Sequence, residues 1–436
     1  MRWIVLVVLL NLAVPAGESL GADPLAIDCW PAGPFEVRVT YDRPLDPAAA
    51  KAIVERAAGQ SLCYYTFRRA NNQGTPGTHV VTDVQSLGPP LGQLRISGAR
   101  VTDDGKTLVL ATDPHPRQAL YVLDPLIPKM SYDLSGIEAT WHEPKEGAAA
   151  DWSGVFKVLE VNSGGNGSNF KRLPSLVKRL DRPGRLVLRT TLGIPKGPQT
   201  LVFESTAPFE ATAGVEAITP APIKGSPTKF QGVVTSEGDP IDLTFTVTTG
   251  KAKYFTFNVT QGPDDPSGAV LSTRMMLPWV PSASPAATTV PAAPFSLTGG
   301  DPKKGEAVFR SEAAKCASCH SVGGKGGSIG PSLDELKGRD LAEVYFHIAE
   351  PSARILPEYM TYTVARKGGE IAAGIVRGEG FDAIRVSDIG AKVTIIPKAD
   401  IEEMRPSSSS TMPVGLPGAI GEASMRDLLA FLTKKN

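Results

Sequence analysis

The chain has 436 residues, 42% of them hydrophobic, enough for two to four globular units at the usual ~100–200 residues per domain. Lys plus Arg equals Asp plus Glu at 45 each, so net charge argues neither for a nucleic-acid binder nor for a strongly acidic shell. With 38 Pro, 44 Gly and few aromatics, the composition favours β-rich modules joined by loops over helical bundles.

Residues 1–22 read as an export signal. Arg2 supplies a positive start, Trp3 to Leu12 is an apolar run interrupted by Asn11, and small residues with Pro15 follow. The run is shorter than the ~20 apolar residues of a membrane span, and no stop-transfer segment follows it. A periplasmic or cell-surface protein with no transmembrane span after cleavage is expected, an uncleaved anchor being the alternative. Such a compartment permits disulfides. Cys316 and Cys319 belong to one motif, which leaves Cys29 and Cys63 as a pair. They could close a loop of about 34 residues for ~3 kcal/mol, or remain two free thiols.

Phe35-Glu-Val-Arg-Val-Thr-Tyr41 alternates with Phe35, Val37, Val39 and Tyr41 on one face, the pattern of a half-buried strand. A short helix over Ala48 to Ala58 follows, then strands at Leu94-Arg-Ile-Ser and Thr107-Leu-Val-Leu-Ala with an Asp-Asp-Gly turn between them. Residues 23–145 therefore read as one β-sandwich, whose opening strand and Asp-Arg-Pro-Leu-Asp-Pro turn resemble bacterial immunoglobulin-like modules. A second β-sandwich-like domain is expected over 150–280, from period-two runs at Gly184–Thr190, Thr200–Glu204, Leu243–Val247 and Phe255–Val259. Asn162 to Asn169, within that second domain, reads as a loop. His79, His115 and His142 stand apart and read as surface or satisfied histidines. No catalytic constellation assembles between 24 and 285, so the chain is not read as an enzyme. Residues 281–300 form a Pro/Ala/Ser/Thr-rich linker, a semi-rigid spacer that should let the two halves fold independently.

Cys316-Ala-Ser-Cys319-His320 carries the chemistry. Two thiols three residues apart reach the two vinyl groups of a porphyrin, and the adjacent histidine is then held under the iron, which makes this the haem c attachment signature. A zinc site needs a second ligand pair that is absent nearby, and a redox pair needs a βαβ context. Helices flank the motif. Asp301-Pro302 is an N-cap and first-turn pair, Asp340 and Glu343 are spaced as a capping box over a helix ending at Ala349, and Met425, Leu428, Leu429 and Leu432 mark a final apolar stripe. The first and last helices are expected to cross at Gly305. Between the helices lie four short strands, Thr361–Arg366, Glu370–Arg377, Ala383–Ser387 and Lys392–Pro397, a small β insert over 359–402.

This part resembles class I cytochromes c. The resemblance implies that the Pro331 carbonyl accepts a hydrogen bond from His320 and that Met412, ahead of Pro413, Gly415 and Leu416, is the sixth iron ligand. Met425 reads as core, and Met360 and Met404 flank the strands. Beside Met412, an open or His-ligated sixth site stays as the alternative. The order Cys-x-x-Cys-His, Ile329-Gly-Pro-Ser-Leu, Glu350-Pro-Ser352, Glu358-Tyr, β insert, Ile401-Glu-Glu-Met-Arg-Pro-Ser and Met412-Pro-x-Gly-Leu looks like the planctomycete-type haem-binding cytochrome c family. That resemblance covers about residues 303–434 and implies sugar-dehydrogenase-like partners.

The fold class expected is thus multidomain: all-β sandwich modules, then a mainly α class I cytochrome c domain over 301–436 with a small β insert. The function expected is an exported carrier of one covalent haem c, whose redox partner is a separate protein such as a periplasmic dehydrogenase. An accessory haem subunit docked by its β modules on an enzyme complex or cell-surface polymer is one alternative. A haem enzyme or gas sensor with an open sixth site is another.

Overall fold

The computed structural model describes residues 23–66, 79–80, 87–145, 147–162, 174–250, 255–262, 274–281 and 293–434. The expected export signal (1–22), residues 163–169 of the expected loop and residues 282–292 of the linker lie outside them. No helix among the described residues is long and apolar enough to cross a membrane.

The first β unit is one antiparallel sheet. Its eight strands lie in the order Ala26–Pro31, Glu36–Tyr41, Thr107–Thr112, Gly92–Val101, Ser61–Tyr65, Leu120–Val122, Met130–Asp133 and His79–Val80. The ten-residue strand Gly92–Val101 shifts register between Ile96 and Gly98. Its first residues pair with Ser61–Tyr65 and its last with Thr107–Thr112, so one bulged strand runs through both halves. The sheet curls until Cys29, near one edge, places its Sγ 3.1 Å from Ser131 O near the other. The strands on either side of the bulge close on one shared core.

Cys29 and Cys63 are not joined by a disulfide. Cys29 is buried in the same core as Leu62 and Tyr64, and alternation along Ser61–Tyr65 turns Cys63 to the opposite face. His115 is a satisfied core histidine, bonded to Pro34 O at 2.9 Å and to the Tyr132 hydroxyl at 2.8 Å.

The second unit is a true two-sheet sandwich. One sheet runs Ala150–Phe156, Ile137–His142, Gly184–Leu192, Ile241–Thr249, Phe209–Ala213, Glu216–Ile218, and the other runs Glu160–Asn162, Thr256–Gln261, Gly197–Ser205, Lys229–Ser236, Ala221–Pro222. Trp141, Phe203, Phe245 and Phe257 fill the space between them. The expected boundary at 145–150 falls too late, because Ile137–His142 pairs with Gly184–Leu192, and Trp141 Nε1 donates to Thr249 Oγ1 at 3.1 Å. The expected end at 280 also falls too late, because Leu277 and Val280 return to the core of the first unit.

The C-terminal part has a helical shell and an insert. Helices Pro302–Phe309, Leu341–Ala349 and Glu422–Thr433 pack around Phe309, Val344, Ile348, Met425, Leu428 and Leu429. Asp301 caps the first helix through Lys303 N at 2.8 Å, and Asp340 caps the next through Ala342 N at 3.0 Å and Glu343 N at 3.1 Å. First and last helices touch at Gly305, where a Cβ would collide with the backbone of Asp427. Ala293, Phe295 and Leu297 pack on this core, and the Phe295 ring stands edge-on to Tyr345 at 5.5 Å. The end of the expected spacer therefore belongs to the shell.

The insert is a five-stranded antiparallel sheet, ordered Val393–Pro397, Ala383–Ser387, Ile371–Glu379, Thr361–Arg366, Ile401–Ser407. Its fifth strand carries it past the expected limit of 402. Tyr362, Val364, Val376, Ile384 and Ile396 form its core together with Phe35 of the first β unit. Phe35 precedes the strand that starts at Glu36, so the alternation read through it breaks there. Val37, Val39 and Tyr41 face the core of their own unit, while Phe35 faces the insert. The two halves are consequently joined by packed side chains as well as by the chain itself.

Candidate haem site

A single helical turn, Cys316–Cys319, carries the motif. The i, i+3 spacing brings both thiols to one side of that turn. Burial raises the Cys316 thiol above its ordinary range. His320 ends the turn in extended conformation, with its backbone N–H on Cys316 O at 2.9 Å. The chain then makes a small hairpin, Ser321–Val322 with Lys325–Gly326, turning through Gly323 and Gly324 at positive φ.

The hairpin returns across the histidine ring. Gly327 N donates to Ala317 O and Gly330 N to Cys319 O, each at 2.9 Å. A Cβ on Gly330 would lie 2.6 Å from His320 Cε1, so a glycine is required for the backbone to pass so close to the imidazole. This passage delivers the Pro331 carbonyl to 2.9 Å from His320 Nδ1. A carbonyl can only accept, so Nδ1 carries the proton and Nε2 keeps its lone pair. Burial lowers the His320 pKa, against the smaller opposite push of that hydrogen bond, and favours the neutral imidazole that can ligate a metal.

The four methionines of this part separate by environment. Met425 is fully buried in the helical core, and Met360 and Met404 pack against the insert. Met412, half-buried on a loop, packs against the helical core, as Cys316 and Leu333 also do. Its loop is held by serine hydroxyls, two of which, Ser352 and Ser407, lie in the motifs quoted above. Ser409 N donates to Ser407 Oγ at 3.1 Å, Ser410 N to Ser352 Oγ at 3.0 Å, and Met412 N to Ser410 Oγ at 3.1 Å. His347 is half-buried beside Phe346, with its pKa lowered by burial.

These residues fit a covalently attached haem. The thiols share one side, the imidazole is neutral with Nε2 bare, and partly exposed apolar side chains surround them, as a porphyrin edge requires. Among the described residues no three His, Cys, Asp or Glu side chains gather as a metal cluster, which fits haem attachment better than a structural zinc.

The sequence model of the cytochrome c family matches residues 302–362. The chain thus contains a cytochrome c-like domain, and haem c with its iron is the cofactor that domain implies. No curated protein matches the chain. Among solved structures, a β-glucosidase from Kluyveromyces marxianus in complex with glucose is 14% identical over 33% of this chain and 17% of its own, with a TM-score of 0.22. An anti-sigma factor domain-containing protein is 10% identical over 58% of this chain and 91% of its own, at a TM-score of 0.26. A GH31 α-xylosidase from Xanthomonas citri is 12% identical over 59% of this chain and 37% of its own, at 0.20. At these scores the likenesses carry no functional argument.

Proposed function

We propose that this chain is an exported c-type cytochrome that binds one haem and passes electrons between partner proteins without catalysing a reaction of its own. Cys316 and Cys319 would hold the haem as thioethers, and His320 Nε2 and the Met412 sulfur would serve as its iron ligands. When bound, the haem supplies an iron that cycles between the ferric and ferrous states. The single observation that carries the reading is the 2.9 Å contact from His320 Nδ1 to the Pro331 carbonyl. It fixes the ring and its tautomer, and it makes Nε2 a better donor. Two protein ligands would leave the iron no open site, which suits outer-sphere transfer. The family resemblance supports a periplasmic dehydrogenase as partner.

A second reading is favoured by one observation. The first β unit packs on the insert through Phe35, which suits an accessory subunit whose β units dock the haem domain on a larger assembly.

The test uses the full chain matured with haem. The expected product keeps its haem through acidified organic extraction and gains the mass of one haem. Met412→Ala should open the ferrous iron to CO and lower the potential by an appreciable part of the ~0.8 V that axial ligands span. Haem lost on extraction sinks the covalent assignment, and a Met412→Ala spectrum equal to the parent's hands the sixth position to another group.

A further inference from the structure

Residues more than 260 positions apart meet where the first β unit touches the insert. Arg95 holds Asp113 by two contacts, Nη2 to Oδ1 at 2.8 Å and Nε to Oδ2 at 3.3 Å. The same pair grips both polar groups of one backbone residue. Arg95 Nη2 donates to Gly378 O at 2.6 Å, and Gly378 N donates to Asp113 Oδ1 at 2.8 Å. Position 378 admits no side chain, since a Cβ there would collide with Thr112 O. Arg377 adds its guanidinium 3.7 Å from Asp113 Oδ2.

Two further contacts frame this grip. Arg100 lies over the Phe381 ring at 4.5 Å, and the Tyr64 hydroxyl donates to Glu358, just before the first strand of the insert. With Phe35 inside the insert core, the first β unit holds this sheet at its interior, one turn and its entry.

The held sheet leads to the ligand loop. Thr361–Arg366 is flanked by Ile371–Glu379 on one side and Ile401–Ser407 on the other. Thr361 pairs with Ser407, whose hydroxyl accepts from Ser409 N, and the next residue, Ser410, donates to Ser352 and accepts from Met412 N. Four residues separate the end of the strand from Met412, so the position of the strand restricts that of the thioether.

We infer that the first β unit is a positioning element of the haem site, with Arg95, Asp113 and Gly378 as the positioning residues for the loop that presents Met412. The inference rests on the reading of Met412 as the sixth iron ligand. It gives the N-terminal half a role in the redox centre although none of its side chains need touch the haem.

The experiment compares the haem-loaded full chain with Gly378→Ala and with Asp113→Ala. Two quantities are read: amide hydrogen exchange in peptides covering 401–412, and CO binding to the ferrous protein. The expected result is exchange at least about tenfold faster over 401–412 in both variants, little change over 302–309 and 422–433, and CO binding that approaches that of Met412→Ala. Exchange over 401–412 within about twofold of the parent in both variants overturns the inference, whether or not the sheets stay in contact. An acceleration spread equally over the helices also overturns it, because a general loss of structure is then the cause. If the loop loosens but CO still binds only to Met412→Ala, the ligand holds itself and the positioning role is rejected. If even Met412→Ala fails to bind CO, the ligand reading has failed, and exchange alone then decides whether the β unit orders the loop.

Discussion

The helical shell and the insert share one stretch of chain and are held in different ways. The shell is specified locally. Asp301 and Asp340 cap the helices that follow them, Gly305 lets the first and last helices touch, and the apolar stripe of Glu422–Thr433 meets Phe309 within the same domain. The insert is specified from far away. Its core is completed by Phe35, and its sheet is gripped by Arg95 and Asp113. A cytochrome fold can therefore tolerate a foreign sheet between its helices, provided another part of the chain takes over the burial that the shell does not supply.

Two substitutions break each side of this comparison separately. Phe35→Ala should have the largest effect, about 3–5 kcal/mol, because it leaves a ring-sized void in a small core. The loss should appear as faster proteolysis and exchange over 361–407, with the covalent haem and the helices retained. Equal loosening of Glu422–Thr433 would show that shell and insert unfold as one body. Gly305→Ala should do the reverse. Its methyl meets the Asp427 backbone, which cannot move without displacing the last helix, so about 3 kcal/mol is expected to fall on the shell. The yield of haem-loaded protein should drop while the first β unit keeps its melting transition.

The same contrast explains what the sequence disclosed. Features with a local residue signature were legible: both caps, the haem signature, and four of the five insert strands. Gly330 could have been found too, since Gly-Pro beside a ligating histidine marks a close backbone approach. What depended on distant partners was not legible. Phe35 continues the Val37, Val39, Tyr41 alternation and gives no sign that it turns away to another core. Arg95, Asp113 and Ser410 are single polar residues without periodicity, and only the folded chain brings them to Gly378 and to the Met412 loop. The unit boundaries failed for the same reason, because strands at Ile137–His142 and apolar residues at 277–280 pair or pack across the division that composition draws.

A third prediction separates the first β unit from both parts of the haem domain. His115 is buried among Tyr121, Tyr132 and Trp279, and burial lowers its pKa to about 4. The unfolded chain takes up a proton near the ordinary value of about 6.5. Between these values only the unfolded state is protonated, so stability is full above the upper value and falls as pH drops through the window. The loss should reach about 3 kcal/mol by pH 4. His115→Gln, measured by urea unfolding at pH 7 and pH 4.5, should flatten this dependence for the first unit. An equal slope in the variant would assign the acid sensitivity to another group.

The smallest effect sharpens the local side of the comparison. Asp340 accepts from two backbone N–H groups that the helix Leu341–Ala349 leaves without an internal partner. Its carboxylate also faces the positive end of that helix. Asp340→Ala removes both contributions and should cost about 1 kcal/mol. The site is exposed, and water replaces part of what is lost. Because the capped helix buries Val344, Tyr345 and Ile348 against the shell, the fraying should appear as faster exchange in its first turn. It should leave the insert and the Met412 loop untouched, since neither takes its hold from that helix end. Asp340→Asn should restore most of the stability, because the amide oxygen accepts the same hydrogen bonds without the charge. Should the asparagine variant fray as much as the alanine variant, the charge at the helix end, rather than the cap geometry, would be what stabilises this part of the shell.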